Sequence, residues 1–137
     1  MSKIFSVNRS ASSVDLALLI ARIGIGVLML THGLSKIPML SQSPIQFYDF
    51  MGLGGELSLW LALFAEIGCS IFVILGCATR LMVIPLIVTM LVAVFIIHAA
   101  DPFMKQEMGL HYLLVYVMLL LTGAGKYSLD YLISSRR

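Results

Sequence analysis

Residues 14–31 read VDLALLIARIGIGVLMLT, and residues 57–75 read LSLWLALFAEIGCSIFVIL. Each run is apolar through its centre except for one charge near the middle, Arg22 in the first and Glu66 in the second. Both are close to the roughly 17–25 residues that a helix needs to cross the hydrocarbon of a bilayer. A charge at mid-bilayer depth costs about 2.5–3.5 kcal/mol on insertion scales, so it is normally paired or turned toward polar space. Opposite signs in two successive spans predict that Arg22 and Glu66 face each other. Such a pair either fixes helix packing or places Glu66 as a protonatable group in a ligand cavity; the third reading is that the two charges do not meet.

Two further apolar runs, residues 81–97 and 108–125, extend the pattern. The expected architecture is an all-α, integral membrane antiparallel four-helix bundle, with helices at about 14–33, 57–76, 81–98 and 107–125. Residues 34–56 form an outer loop and residues 126–137 a basic cytoplasmic tail, the whole chain being a single transmembrane domain. Connections as short as 76–80 and 99–107 force neighbouring helices to pack antiparallel. Composition agrees: 60% of residues are hydrophobic and 12% charged, against about 25% charged in soluble domains. The net charge of +2 is small and dispersed, which argues against nucleic acid as a partner.

Ser12 and Asp15 have the spacing of a capping box at the first helix, and Pro85 falls in the first turn or so of the third, where it does least harm. With four spans both termini share one side. That side carries Lys3, Arg9, Arg80, Lys126, Arg136 and Arg137, against Lys36 and Lys105 on the other. The positive-inside rule makes the termini cytoplasmic, in a multi-pass protein of the cell inner membrane. Arg22 interrupts the first apolar run and no A-x-A site follows, so that run reads as an uncleaved helix.

Two polar layers follow from depth. Thr89 and Tyr116 fall near the level of Arg22 and Glu66. Nearer the outer end, His32 and Lys36 lie one turn apart, His98 closes the third helix, and Glu107 and His111 lie one turn apart in the fourth. Three histidines and a carboxylate suit a transition metal, a polar pocket for a quinone head group, or plain interfacial hydrogen bonding; axial haem ligation by His98 and His111 is a fourth reading. The segment Phe47-Tyr48-Asp49-Phe50 in the outer loop reads either as an interfacial lid or as linker. Cys69 and Cys77, eight residues apart, lie about 12 Å apart along a helix, too far for a disulfide; both read as packing residues. Glycines at 24, 26 and 33 let another helix approach closely.

These residues, in this order, resemble the DoxX family of small four-helix membrane proteins. The resemblance runs through Ala21-Arg22-Ile23-Gly24, His32-Gly33-Leu34-Ser35-Lys36, Glu66, Gly76-Cys77-Ala78-Thr79-Arg80 and His98. It ends with Gly123-Ala124-Gly125-Lys126-Tyr127-Ser128-Leu129-Asp130, similar to the family's Gly-Pro-Gly-Arg-x-Ser-x-Asp but with Ala124 for proline and Lys126 for arginine. It covers about residues 16–133. It implies a membrane subunit of a quinone- or thiol-linked redox complex, some relatives resembling the membrane subunit of a thiosulfate:quinone oxidoreductase. Arg22, Glu66, His32, Lys36 and His98 are the positions it marks. The chain contains no flavin, nicotinamide or iron–sulfur motif, so electrons must come from a redox partner protein; the bilayer and a second copy of the chain are the other expected partners. A non-catalytic scaffold and a small proton-coupled transporter using Glu66 are the alternative functions.

Overall fold

A computed structural model describes residues 11–136. Lys3, Arg9 and Arg137 of the charge count lie outside them. The described residues are helical with no strand. Helix α1, Ala11–Lys36, leads through a short 3-10 turn, Ile37–Ser41, and an irregular segment, 42–54, into α2, Gly55–Leu75. Helix α3 spans Thr79–Ile97, α4 Phe103–Thr122, and a short α5 Leu129–Ser135. Successive helices pack side by side, α3 against α4 most extensively, and α1 touches α4 to close the bundle. One end, the loop end, carries 37–54 and 98–102. The other, the terminal end, carries the α2–α3 turn and residues 123–136.

Helices are what apolar runs of this length must form in lipid, where every backbone N–H and C=O needs an internal partner. Their outer faces accordingly expose large apolar side chains such as Ile20, Phe64, Leu81, Phe95 and Leu121. Three helical segments, Ala11–Ser41, Gly55–Leu75 and Thr79–Ile97, are long and apolar enough to cross a membrane. The run expected as a fourth span forms the 20-residue helix α4, which is not among these three: Lys105, Gln106, Glu107 and His111 occupy its first half and dilute its apolarity.

Helix boundaries differ from expectation by up to four residues, α4 running Phe103–Thr122 rather than 107–125, and three differences have structural consequences. Helix α1 already runs at Ala11, so Ser12 and Asp15 lie within it and Asp15 accepts from the Lys126 backbone N–H at 3.0 Å. Helix α3 starts at Thr79 rather than 81, which puts Pro85 inside the helix. The earlier start has a cause: Asp130 accepts from the N–H groups of Ala78 and Thr79 at 2.7 and 3.0 Å, supplying from the chain's far end the cap that Ala78 lacks. The tail is also more ordered than a basic extension, since α5 forms with Ser128 as its N-cap.

Close approach of α1 to α2 depends on two of the three glycines. A Cβ at Gly26 would strike the Ile74 side chain, and one at Gly33 would lie 2.5 Å from Ile67 Cγ1 and 3.1 Å from Glu66 Cβ. Gly24 has nothing within 4 Å and faces away. Gly33→Leu is therefore expected to destabilise the bundle by about 1–3 kcal/mol, read as a lower thermal midpoint in detergent, with Gly24→Leu near neutral. Equal effects at the two positions would contradict this packing.

Candidate functional site

Arg22 and Glu66 do not meet. Arg22 is fully buried and donates through Nη1 to the carbonyls of Val73 (3.3 Å) and Ile74 (3.1 Å), and through Nη2 to that of Tyr127. Glu66, 2% exposed, accepts from Lys36 Nζ through both oxygens at 2.5 and 2.6 Å. Gly33 marks the level of Glu66 on α1, eleven residues from Arg22 and so about 16 Å along the axis. The expected midplane layer is really two separate sites.

At the terminal end, α2 stops in a Schellman turn. Gly76 adopts the left-handed conformation (φ 71°), with Gly76 N–H bonding Val73 O and Cys77 N–H bonding Phe72 O, the arrangement that glycine favours at a helix C-terminus. The Arg22 guanidinium lies against that negative helix end. A Cβ on Gly76 would collide with Arg22 and with Ser128, so the turn is shaped to the cation. Asp130 N–H closes the cluster by donating to Gly76 O at 2.8 Å. The segments 76–80 and 123–130 thus converge on Arg22 and build the terminal end around it.

At the loop end, two backbone irregularities flank the Lys36–Glu66 pair. Glu66 sits in a π-helical stretch, Phe64–Cys69, and a second, Ala93–Ile97, leads into His98. Such bulges re-aim side chains and are frequent at functional sites. Between α2 and α3 lies a cavity of 620 Å³ bounded by Leu61, Phe64, Ile84, Val88 and Thr89, with Phe47, Tyr48 and Phe50 over it. Those three aromatics come from the extended segment 42–54 rather than a helix. Ser58 fastens that segment, accepting from Phe50 N–H at 2.8 Å and donating to Gly54 O at 2.7 Å. A second cavity of 270 Å³, among α1, α3 and α4, is lined by Met29, His32, Met90, Lys105 and Tyr112. Lys36, Glu66, Ala93 and His98 line both cavities.

The remaining candidates divide. His32 stands edge-on to Tyr112 (ring centroids 5.5 Å apart, 88°), and Tyr112 stacks on Tyr116 at 6.2 Å. Tyr116 is fully buried one layer behind the cavity wall, its hydroxyl without a partner among the described residues. Thr89 Oγ1 donates to Pro85 O at 2.8 Å. His98 Nδ1 donates to Asp101 Oδ2 at 2.7 Å, which lowers the Asp101 pKa from its ordinary value, with help from the nearby Lys105 charge. His111 is exposed and 3.7 Å from Glu107, and neither lines the two cavities. The three histidines point to different partners, and among the described residues no group of three or more His, Cys, Asp or Glu is placed to hold a metal. Cys69 is buried and Cys77 half-buried, both free.

The family model for DoxX matches residues 17–99 of this chain. The chain belongs to the DoxX family. It is 30% identical over 119 residues to a protein of Bacillus subtilis (strain 168) named "Putative oxidoreductase CatD", a match covering 86% of this chain and 87% of that relative. No solved structure matches. The DoxX match takes in Arg22, His32, Lys36, Glu66 and His98, hence both the buried cation of the terminal end and the loop-end pair.

The two sites make opposite predictions for double mutants. Arg22→Leu removes a buried cation from backbone carbonyls and should cost about 2–4 kcal/mol. Combined with Glu66→Gln its effect should be additive, because the groups share no partner. Lys36→Met with Glu66→Gln should instead be less damaging than the sum of the singles by about 1 kcal/mol or more. Denaturation midpoints in detergent decide it, and strong coupling of Arg22 to Glu66 would refute the separation.

Proposed function

We propose that this DoxX protein is the membrane subunit of a quinone-linked redox complex and that the Lys36–Glu66–His98 cluster holds the quinone head group. The observation that carries the reading is the convergence of two cavities on one ion pair, a buried Glu66 with a half-buried Lys36, placed where a lipid-soluble ligand can reach it. The larger cavity lies within the usual range of about 300–1,000 Å³ for small-molecule sites and is walled by apolar side chains. Several of these, Phe64, Ile84, Val88 and Ile97, are exposed on the bundle surface, which gives a lipid-borne molecule a lateral way in between α2 and α3.

Reduction of a quinone to a quinol takes two electrons and two protons. In this reading Lys36 donates a hydrogen bond to a ring carbonyl oxygen, and Glu66 and His98 are the proton-exchanging groups, the histidine hydrogen-bonded to Asp101 at the loop end. The electrons come from a partner protein, since the chain has no motif for an electron-carrying cofactor. The relative named as an oxidoreductase supports the same class of chemistry. Glu66→Gln and Lys36→Met should each weaken binding of a short-tailed ubiquinone or menaquinone analogue at least about tenfold, with helicity retained; a purified protein that binds neither analogue favours the scaffold reading.

We place the termini on the cytoplasmic side of the inner membrane. Arg80, Lys126 and Arg136 lie at the terminal end, whereas at the loop end Lys36 is neutralised by Glu66 and leaves Lys105. In a Cys69→Ala, Cys77→Ser background, Gln46→Cys should react with a membrane-impermeant thiol reagent added outside intact cells. Labelling only after lysis would invert the topology.

A further inference from the structure

A third cavity, of 560 Å³, opens at the terminal end and is independent of the loop-end site. It is lined by Asp15, Arg80, Lys126, Asp130, Tyr131 and Ser134 around the turn Gly123-Ala124-Gly125. We propose that it binds the head group of a phospholipid carrying a phosphate and a primary ammonium, a phosphoethanolamine head group. Arg80 and Lys126 take the phosphate; Asp15 and Asp130 take the ammonium.

The cations are available for this. Arg80 Nη2 donates to Leu121 O at 3.3 Å, which anchors the guanidinium at the C-terminus of α4 and leaves its other donors without acceptors among the described residues. Gly123 gives it room: a Cβ there would stand 3.3 Å from Arg80 Nε and 3.5 Å from Nη2. A guanidinium fork matches two phosphate oxygens. Lys126 is exposed, and its ammonium has no partner among the described residues.

The carboxylates decide the class of ligand. Asp15 Oδ1 accepts from Lys126 N–H, and Asp130 accepts from Ala78 and Thr79 N–H. An ionised carboxylate has about four acceptor sites, so both keep capacity for ammonium donors. Two cations and two carboxylates make the rim neutral, which suits a zwitterion better than an anionic lipid. A choline head group has no N–H to donate.

The depth is also right. Helix α5 exposes Leu129, Tyr131, Leu132 and Ile133, an apolar set expected to lie in the bilayer interface, and Tyr127 and Tyr131 suit the aromatic belt at head-group level. The cavity mouth is therefore where head groups are.

The test uses delipidated full-length protein exchanged into discs of equal parts phosphatidylethanolamine, phosphatidylcholine and phosphatidylglycerol, with retained lipid counted by native mass spectrometry. Phosphatidylethanolamine should be enriched, and the enrichment should fall roughly five- to tenfold in Arg80→Gln/Lys126→Gln at unchanged thermal midpoint. Should the double variant unfold, Lys126→Gln alone gives the same reading at smaller amplitude. Equal retention of the three lipids, preference for phosphatidylglycerol, or enrichment that survives the substitutions would each overturn the assignment. Displacement by millimolar soluble phosphoethanolamine would assign the site to a free metabolite and overturn the lipid.

Discussion

A full charge inside a bilayer must be neutralised by atoms that are already there, and this bundle is organised around two such charges. Arg22 is answered by main-chain carbonyls at a helix end, Glu66 by an ammonium from the last turn of α1. The first solution uses atoms left over when α2 terminates, so neutralising the cation and ending the helix are one event. The second uses two side chains, one from each of two neighbouring helices. That difference separates a centre held by main-chain atoms from one held by side chains alone.

The separation also explains how the charges sit in the bundle. Helix α1 is longer than α2 and overhangs it at the terminal end, so the Gly76 turn lies level with Arg22 while Gly33 lies level with Glu66. Into the space beside the overhang fold residues 123–130, which cap α3, accept from Arg22 and bond to Asp15. The last segment of the chain is thus part of the core of the terminal end.

Much of this was legible in the sequence. Apolar run lengths identified α1, α2 and α3, and short connections gave their antiparallel packing; Glu66, expected in a midplane layer below Lys36 and His98, instead bonds Lys36 directly and lines the same two cavities as His98. What failed was depth reckoning for Arg22, because counting from helix ends assumes that helices start level. Pairing by opposite charge alone then chose the wrong partner, and carbonyls, which carry no sequence signal, were the right one. The second π segment and the placement of His111 outside the cavities were equally invisible, since both depend on helix rotation within a degree of freedom that apolarity on all sides leaves open. The motif Gly-Ala-Gly-Lys-x-Ser-x-Asp was visible as a pattern, and only the structure connects its Asp130 to the start of α3.

The bond between Arg22 and Tyr127 spans 105 residues. During synthesis the first helix presents its cation to the membrane while nearly the whole chain is still to be made. The α2 carbonyls reach it partway, and the last acceptor arrives only when the C-terminal turn has been translated. Truncation before residue 127 therefore removes an acceptor from a buried cation that lies more than a hundred residues earlier, and ties the seating of the first helix to a turn at the far end of the described chain.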